Sequence, residues 1–132
     1  MNASLRAMTL GALVATGPVL FAHHSFSAEY DSNQPVKVAG TVTKVEWTNP
    51  HIWFFVDVKD QQGRVTNWGF SGGPPGVLQR RGIPKSALKI GDEVVVEGFR
   101  ARDGSNNASG GKVTFADGRS VFTASNEDRA PR

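Results

Sequence analysis

The sequence predicts an all-β domain: a small five-stranded barrel with one short helix and an extended N-terminal arm. Three observations lead there. Apolar residues alternate with a period of two in several short segments between positions 36 and 123. Glycine, proline, asparagine and aspartate punctuate those segments where strands must turn. Their order, three meandering strands, a short helical connection and two further strands, is that of an OB-like barrel. An open β-sandwich of the same strand count also fits the pattern; the barrel is the expected architecture.

The first strand begins after Pro35. Val36, Val38, Gly40 and Val42 share one face, and the apolar set then slips by one to Val45 and Trp47. A slip in a period-two pattern is the sequence sign of a β-bulge, and Gly40 permits sharp bending beside it. This predicts a long, curved strand ending at Thr48-Asn49-Pro50-His51, where proline removes a ladder donor. Positions 52–58 form the second strand, with Ile52, Phe54, Val56 and Val58 on one face and Trp53 and Phe55 on the other. Asp60-Gln61-Gln62-Gly63 supplies a hairpin loop, and positions 65–70 make a third strand with Trp68 and Phe70 on a common face. That placement predicts Trp68 in the core and Trp53 partly accessible.

Ser71-Gly72-Gly73-Pro74-Pro75 stops the sheet. A short helix over 76–81 follows the proline pair and ends at Gly82. Pro84 and Ser86 start a further helical turn through Leu88, and Gly91-Asp92 leads into a fourth strand over 93–100. The Gly-, Ser- and Asn-rich stretch 103–111 reads as a loop. Positions 112–115 and 119–123 then pair across Asp117-Gly118, a strong turn dipeptide. Residues 124–132 are a polar tail.

The first 22 residues read as an export signal. Arg6 is a short positive region, positions 8–19 are apolar but too short to span a bilayer, and Ala22 is a small residue at the cut. An uncleaved anchor helix is the alternative. Processing after Ala22 gives a mature chain of residues 23–132: an arm over 23–35, a barrel domain over 36–123 and the tail. The expected location is periplasmic or secreted, with no membrane span after cleavage and a monomeric state. The chain contains no cysteine, so a lipid anchor on cysteine is excluded, and no disulfide staples the domain.

The formal net charge is +3, of which Arg6 carries one, and acidic and basic residues are interspersed. Nucleic-acid binders cluster their Lys and Arg; Arg80-Arg81 is the nearest approach here, and a nucleic-acid partner is not expected. Hydrolytic machinery is not visible either. Ser71-Gly72-Gly73 is no nucleophile elbow, and the glycine-rich 104–111 segment lacks the lysine and following helix of a phosphate loop. The chain is read as a non-enzyme.

Several longer motifs carry a resemblance. His23-His24-Ser25-Phe26, Glu29-Tyr30-Asp31 and the run Thr41-Val42-Thr43-Lys44-Val45-Glu46-Trp47-Thr48-Asn49-Pro50-His51 are joined by Leu78-Gln79-Arg80-Arg81-Gly82, Gly91-Asp92-Glu93-Val94 and Ala101-Arg102-Asp103-Gly104-Ser105. Together they resemble the bacterial family called domain of unknown function 6152, along essentially the whole mature chain. The resemblance implies an exported single-domain protein and no particular activity.

Two residue sets could carry chemistry. Trp47, Trp53 and Phe55 are the candidate ligand-binding set. A small barrel has one interior, so the second face of strand two is either an open aromatic platform or is covered by the arm through Phe26 and Tyr30. The partner would be a small molecule or a periplasmic protein. The three histidines, His23, His24 and His51, are the candidate metal set. Cleavage after Ala22 would place a free amine and two imidazoles together, a ligand set suited to Cu(II) or Zn(II). The plainer expectation is that His23 and His24 are exposed arm residues and His51 caps its turn.

Overall fold

The structure, a computed structural model, describes residues 26–124. The segment expected to be an export signal, His23, His24 and positions 125–132 lie outside the described residues. After a single helical turn, α1 (Phe26–Glu29), the chain enters β1 (Tyr30–Glu46), then β2 (Trp53–Lys59) and β3 (Val65–Ser71). A helix, α2 (Pro75–Arg80), and a 3-10 turn (Lys85–Ala87) lead to β4 (Glu93–Ala101). Three short strands follow: β5 (Asn107–Ser109), β6 (Lys112–Phe115) and β7 (Ser120–Phe122).

The strand order is β1-β2-β3-β5-β4, and β1 pairs back onto β4. That closes a five-stranded barrel, the predicted OB-like arrangement. Closure rests on β5, which runs parallel to β3 (Phe70 opposite Ala108) and antiparallel to β4 (Arg100 opposite Ala108). β6 continues the same path along β4, so β5 and β6 are two halves of one barrel strand broken at Gly110-Gly111. β7 is a hairpin partner of β6.

β1 serves both halves of the barrel. Residues 35–41 pair with β4, residues 41–46 with β2, and the register slips between Val42 and Lys44, where the apolar pattern slips in sequence. Gly40 lies just before the slip. A Cβ there would sit 2.1 Å from the Asp57 carbonyl oxygen, so only glycine lets β2 cross at that point. The bulge thus falls at Thr43, and Gly40 supplies the close approach.

Alternation then fills the interior. Val42, Ile52, Phe54, Val56, Phe70, Val94, Val96, Ala108 and Val113 are buried in one cluster, with Phe54 and Phe70 stacked at 5.3 Å. Leu78 of α2 and Leu88 join it, so the β3–β4 connection closes the core. α2 stops where predicted: Gly82 adopts φ +79°, and its N–H donates to Gln79 while that of Ile83 donates to Leu78. These are the paired bonds of a Schellman cap.

Two boundaries differ from the sequence reading. The arm was expected to be extended and outside the barrel to position 35. Instead Phe26 and Tyr30, brought to one side by the helical turn, bury their rings together at 5.4 Å, and Phe26 meets Phe99 edge-on at 5.8 Å. Tyr30 already pairs with Ala101, and Asp31, accepting from Asn33 N–H, turns the chain before Pro35 resumes pairing. The second difference is β5, expected as loop. Its three residues sit among Gly, Ser and Asn, too few for a period, yet Ala108 is fully buried.

Candidate functional site: a cleft beside Trp53

The pleat of β2 sends Ile52, Phe54 and Val56 inward and Trp53, Phe55 and Asp57 outward. Trp53 and Phe55 are half-buried, their ring centroids 6.4 Å apart and their planes inclined by 23°. Their surroundings separate them. Phe55 lies over Gly69, where a Cβ would stand 3.2 Å from its ring, and the Lys44 ammonium sits 5.4 Å from its centroid. Lys44 is itself paired with Glu46 at 2.5 Å. The Phe55 face is therefore occupied from within the chain.

Trp53 instead walls an open cleft of about 360 Å³, completed by Ala28, Glu29, Tyr30, Ala101, Arg102, Asp103 and Asn107. The arm forms one side of this cleft without covering the indole. Its position is fixed by the hydrogen bond between the Tyr30 and Ser71 hydroxyls. Arg102 fastens the arm from the other side: its N–H donates to the Glu29 carbonyl, its Nε to the Ser27 carbonyl at 2.7 Å, and its Nη1 stands 4.0 Å from Asp31. Asn107, first residue of β5, is half-buried, with Oδ1 packed over Gly69. Its side-chain amide has no hydrogen-bond partner among the described residues.

Trp47 does not join Trp53 and Phe55. It packs against the buried cluster, and its Nε1 is buried without an acceptor among the described residues. Trp68 corrects the expectation of full burial. It shares the inward face with Phe70, at 6.3 Å, but is only partly buried and is roofed by the Arg100 guanidinium at 5.5 Å. Arg100 is held there by the Ser105 and Gly104 carbonyls. A cation over an indole face satisfies a position that the alternation alone assigned to the core.

His51 follows a cis Asn49–Pro50 peptide and is half-buried. Its Nδ1 lies 2.8 Å from the Gly72 carbonyl oxygen, which can only accept, so Nδ1 carries the proton and Nε2 is the basic nitrogen of the neutral ring. Gly72 adjoins Ser71, the residue that holds Tyr30. No group of three or more His, Cys, Asp or Glu side chains suited to a metal occurs among the described residues. His23 and His24 fall outside them. Arg81 of the Arg80-Arg81 pair donates to the Ala124 carbonyl. No helix among the described residues is long and apolar enough to cross a membrane.

Sequence reasoning found Trp53 and missed Asn107 and Arg102. Both lie in or beside the segment read as a loop, and only the parallel pairing of β5 with β3 carries Asn107 to the indole. Among known protein families, the model of one described as "Family of unknown function (DUF6152)" matches residues 12–111. Neither the curated proteins nor the solved structures contain a match to the chain.

Proposed function

We propose that this chain, which belongs to the family of unknown function DUF6152, is an exported, monomeric binding module that holds a small ligand in the Trp53 cleft. One observation carries the reading. A half-buried indole and an amide with no hydrogen-bond partner among the described residues face the same open cleft on a closed, well-packed barrel. Apolar walls with a few convergent polar groups are the usual make-up of small-molecule sites, and the volume lies at the lower end of their ~300–1,000 Å³ range. A rigid scaffold beneath the site limits the ordering cost of binding. The reading is of binding rather than catalysis.

A thermal-shift panel of neutral saccharides, nucleosides, amino acids and short peptides tests it. At least one class is expected to raise the melting temperature of the wild-type protein and not of Trp53→Ala. Shifts that are the same in both proteins would place binding elsewhere.

A second reading has its own observation. The Gly72 carbonyl fixes the His51 ring with Nε2 as the basic nitrogen, the outer-shell arrangement that orients many metal-bound imidazoles. Phe26, two residues after His24, is buried against Tyr30, whose hydroxyl bonds the neighbour of that same Gly72. Copper or zinc bound by His23, His24 and His51 is the function this arrangement would serve. Intact mass of the exported protein with and without Cu(II) reads both the cleavage point and the stoichiometry. The reading expects a chain starting at His23, one Cu(II) per chain, and at least tenfold weaker binding in His51→Ala, about 1.4 kcal/mol. Because the ligating nitrogens must be deprotonated, binding should fall in mild acid. Copper affinity unchanged in His51→Ala would confine any binding to the terminus.

A further inference from the structure

The make-up of the Trp53 cleft points to one ligand class. We propose that it takes an uncharged pyranose ring, as a neutral mono- or disaccharide or the end of a longer neutral glycan. This rests on the cleft being the ligand site and adds what the ligand must be.

The aromatic wall is single. Among the described residues, Trp53 is the one indole or phenyl ring lining the cleft apart from the buried Tyr30, and Ala28 and Ala101 contribute only methyl groups and backbone. A planar heteroaromatic gains most between two rings; a pyranose needs only one, since its axial C–H groups form an apolar face while its hydroxyls project at the edge. An indole offers a broad apolar face with a negative quadrupole to those C–H groups.

Charge argues against an anion. Glu29 and Asp103 both line the cleft, and hydrogen bonding with Ser105 holds the Asp103 carboxyl below its ordinary range, so it stays ionised at neutral pH. The cation in the cleft, Arg102, is already committed to the Ser27 carbonyl and lies beside Asp31. With Asp103 ionised and Arg102 engaged, the cleft offers a phosphate or sulfate no uncommitted cation among its described lining residues. The Asp103 carboxylate is a suitable acceptor for hydroxyl donors. The Asn107 amide supplies a donor and an acceptor side by side, which matches vicinal hydroxyls, each of which can both give and take a hydrogen bond.

The test follows the three indole N–H signals of the protein, which come from Trp47, Trp53 and Trp68, in a ¹H–¹⁵N spectrum. Cellobiose, maltose and chitobiose are titrated as neutral probes, glucose 6-phosphate as an anionic one and adenosine as an uncharged heteroaromatic one. At least one neutral disaccharide is expected to shift the Trp53 signal and leave that of Trp47 in place. Its affinity should fall tenfold or more in Trp53→Ala and severalfold in Asn107→Ala, a variant that leaves the aromatic wall intact. Glucose 6-phosphate should bind more weakly than the best neutral probe. If adenosine or glucose 6-phosphate binds at Trp53 and no neutral saccharide does, the sugar assignment is overturned while the cleft remains the ligand site. If a saccharide binds without moving the Trp53 signal, or equally well in Trp53→Ala, the cleft reading falls as well. Both fall if no probe here and no class in the thermal-shift panel binds.

Discussion

Four of the five aromatic residues on β2 and β3, Trp53, Phe54, Trp68 and Phe70, differ in role because they differ in what covers them. Phe54 and Phe70 are fully buried and stacked on each other, so Phe54→Ala or Phe70→Ala should cost ~3–5 kcal/mol through lost burial and the cavity left behind. Trp68 faces the same interior under the Arg100 guanidinium and is only partly enclosed. Trp68→Ala should therefore cost less than either phenylalanine, and Trp53→Ala least of the four. Urea unfolding of the four variants gives the ranking directly. A Trp53→Ala loss equal to that of Phe70→Ala would make the cleft wall a core residue. The inward and outward assignments in β2 were legible from alternation alone. The incomplete burial of Trp68 was not, because its cover is an arginine from a strand distant in sequence.

At the scale of the element, closure depends on two glycines where backbones nearly touch. A Cβ on Gly98 would stand 1.6 Å from the Ser109 carbonyl oxygen, and one on Gly40 2.1 Å from that of Asp57. Gly98→Ala must part β4 from β5, and overpacking of this kind costs ~1–3 kcal/mol or more. Gly63 has a positive φ of 80° but open space around it, so Gly63→Ala should cost less, a comparison denaturant midpoints will settle. The hairpin turns should respond to acid. Arg64 beside Asp60 and Arg119 beside Asp117, with turn N–H groups, hold both carboxyls below their ordinary 3.8. Their contribution is complete above that value and is lost as pH falls through the lowered folded values. NMR titration should show both carboxyls titrating below 3.8, with the β2–β3 and β6–β7 turn amides moving together with them. β1 to β4 were readable because each is long enough to show a period or is bounded by turn residues. β5 was not: three residues between glycines and asparagines show no pattern, and their strand character comes from neighbours distant in sequence.

For the whole molecule, the barrel follows from segment order and the slip in β1, and both were visible in sequence. The site was half visible. Alternation forces Trp53 outward, but nothing local says that Asn107 will stand beside it or that the arm will build one wall and leave the indole open. That arrangement needs the closed ring, in which β5 is inserted between β3 and β4. The same closure sets Tyr30 against Ser71, one residue from the carbonyl that orients His51, so the two functional readings share a scaffold and differ in the residue they require. Affinity for the ligand identified by the thermal-shift panel, measured side by side on wild type, Trp53→Ala and His51→Ala, separates them. Binding in the Trp53 cleft predicts a loss of at least tenfold in Trp53→Ala, about 1.4 kcal/mol, and wild-type affinity in His51→Ala. Undiminished binding in Trp53→Ala would contradict it.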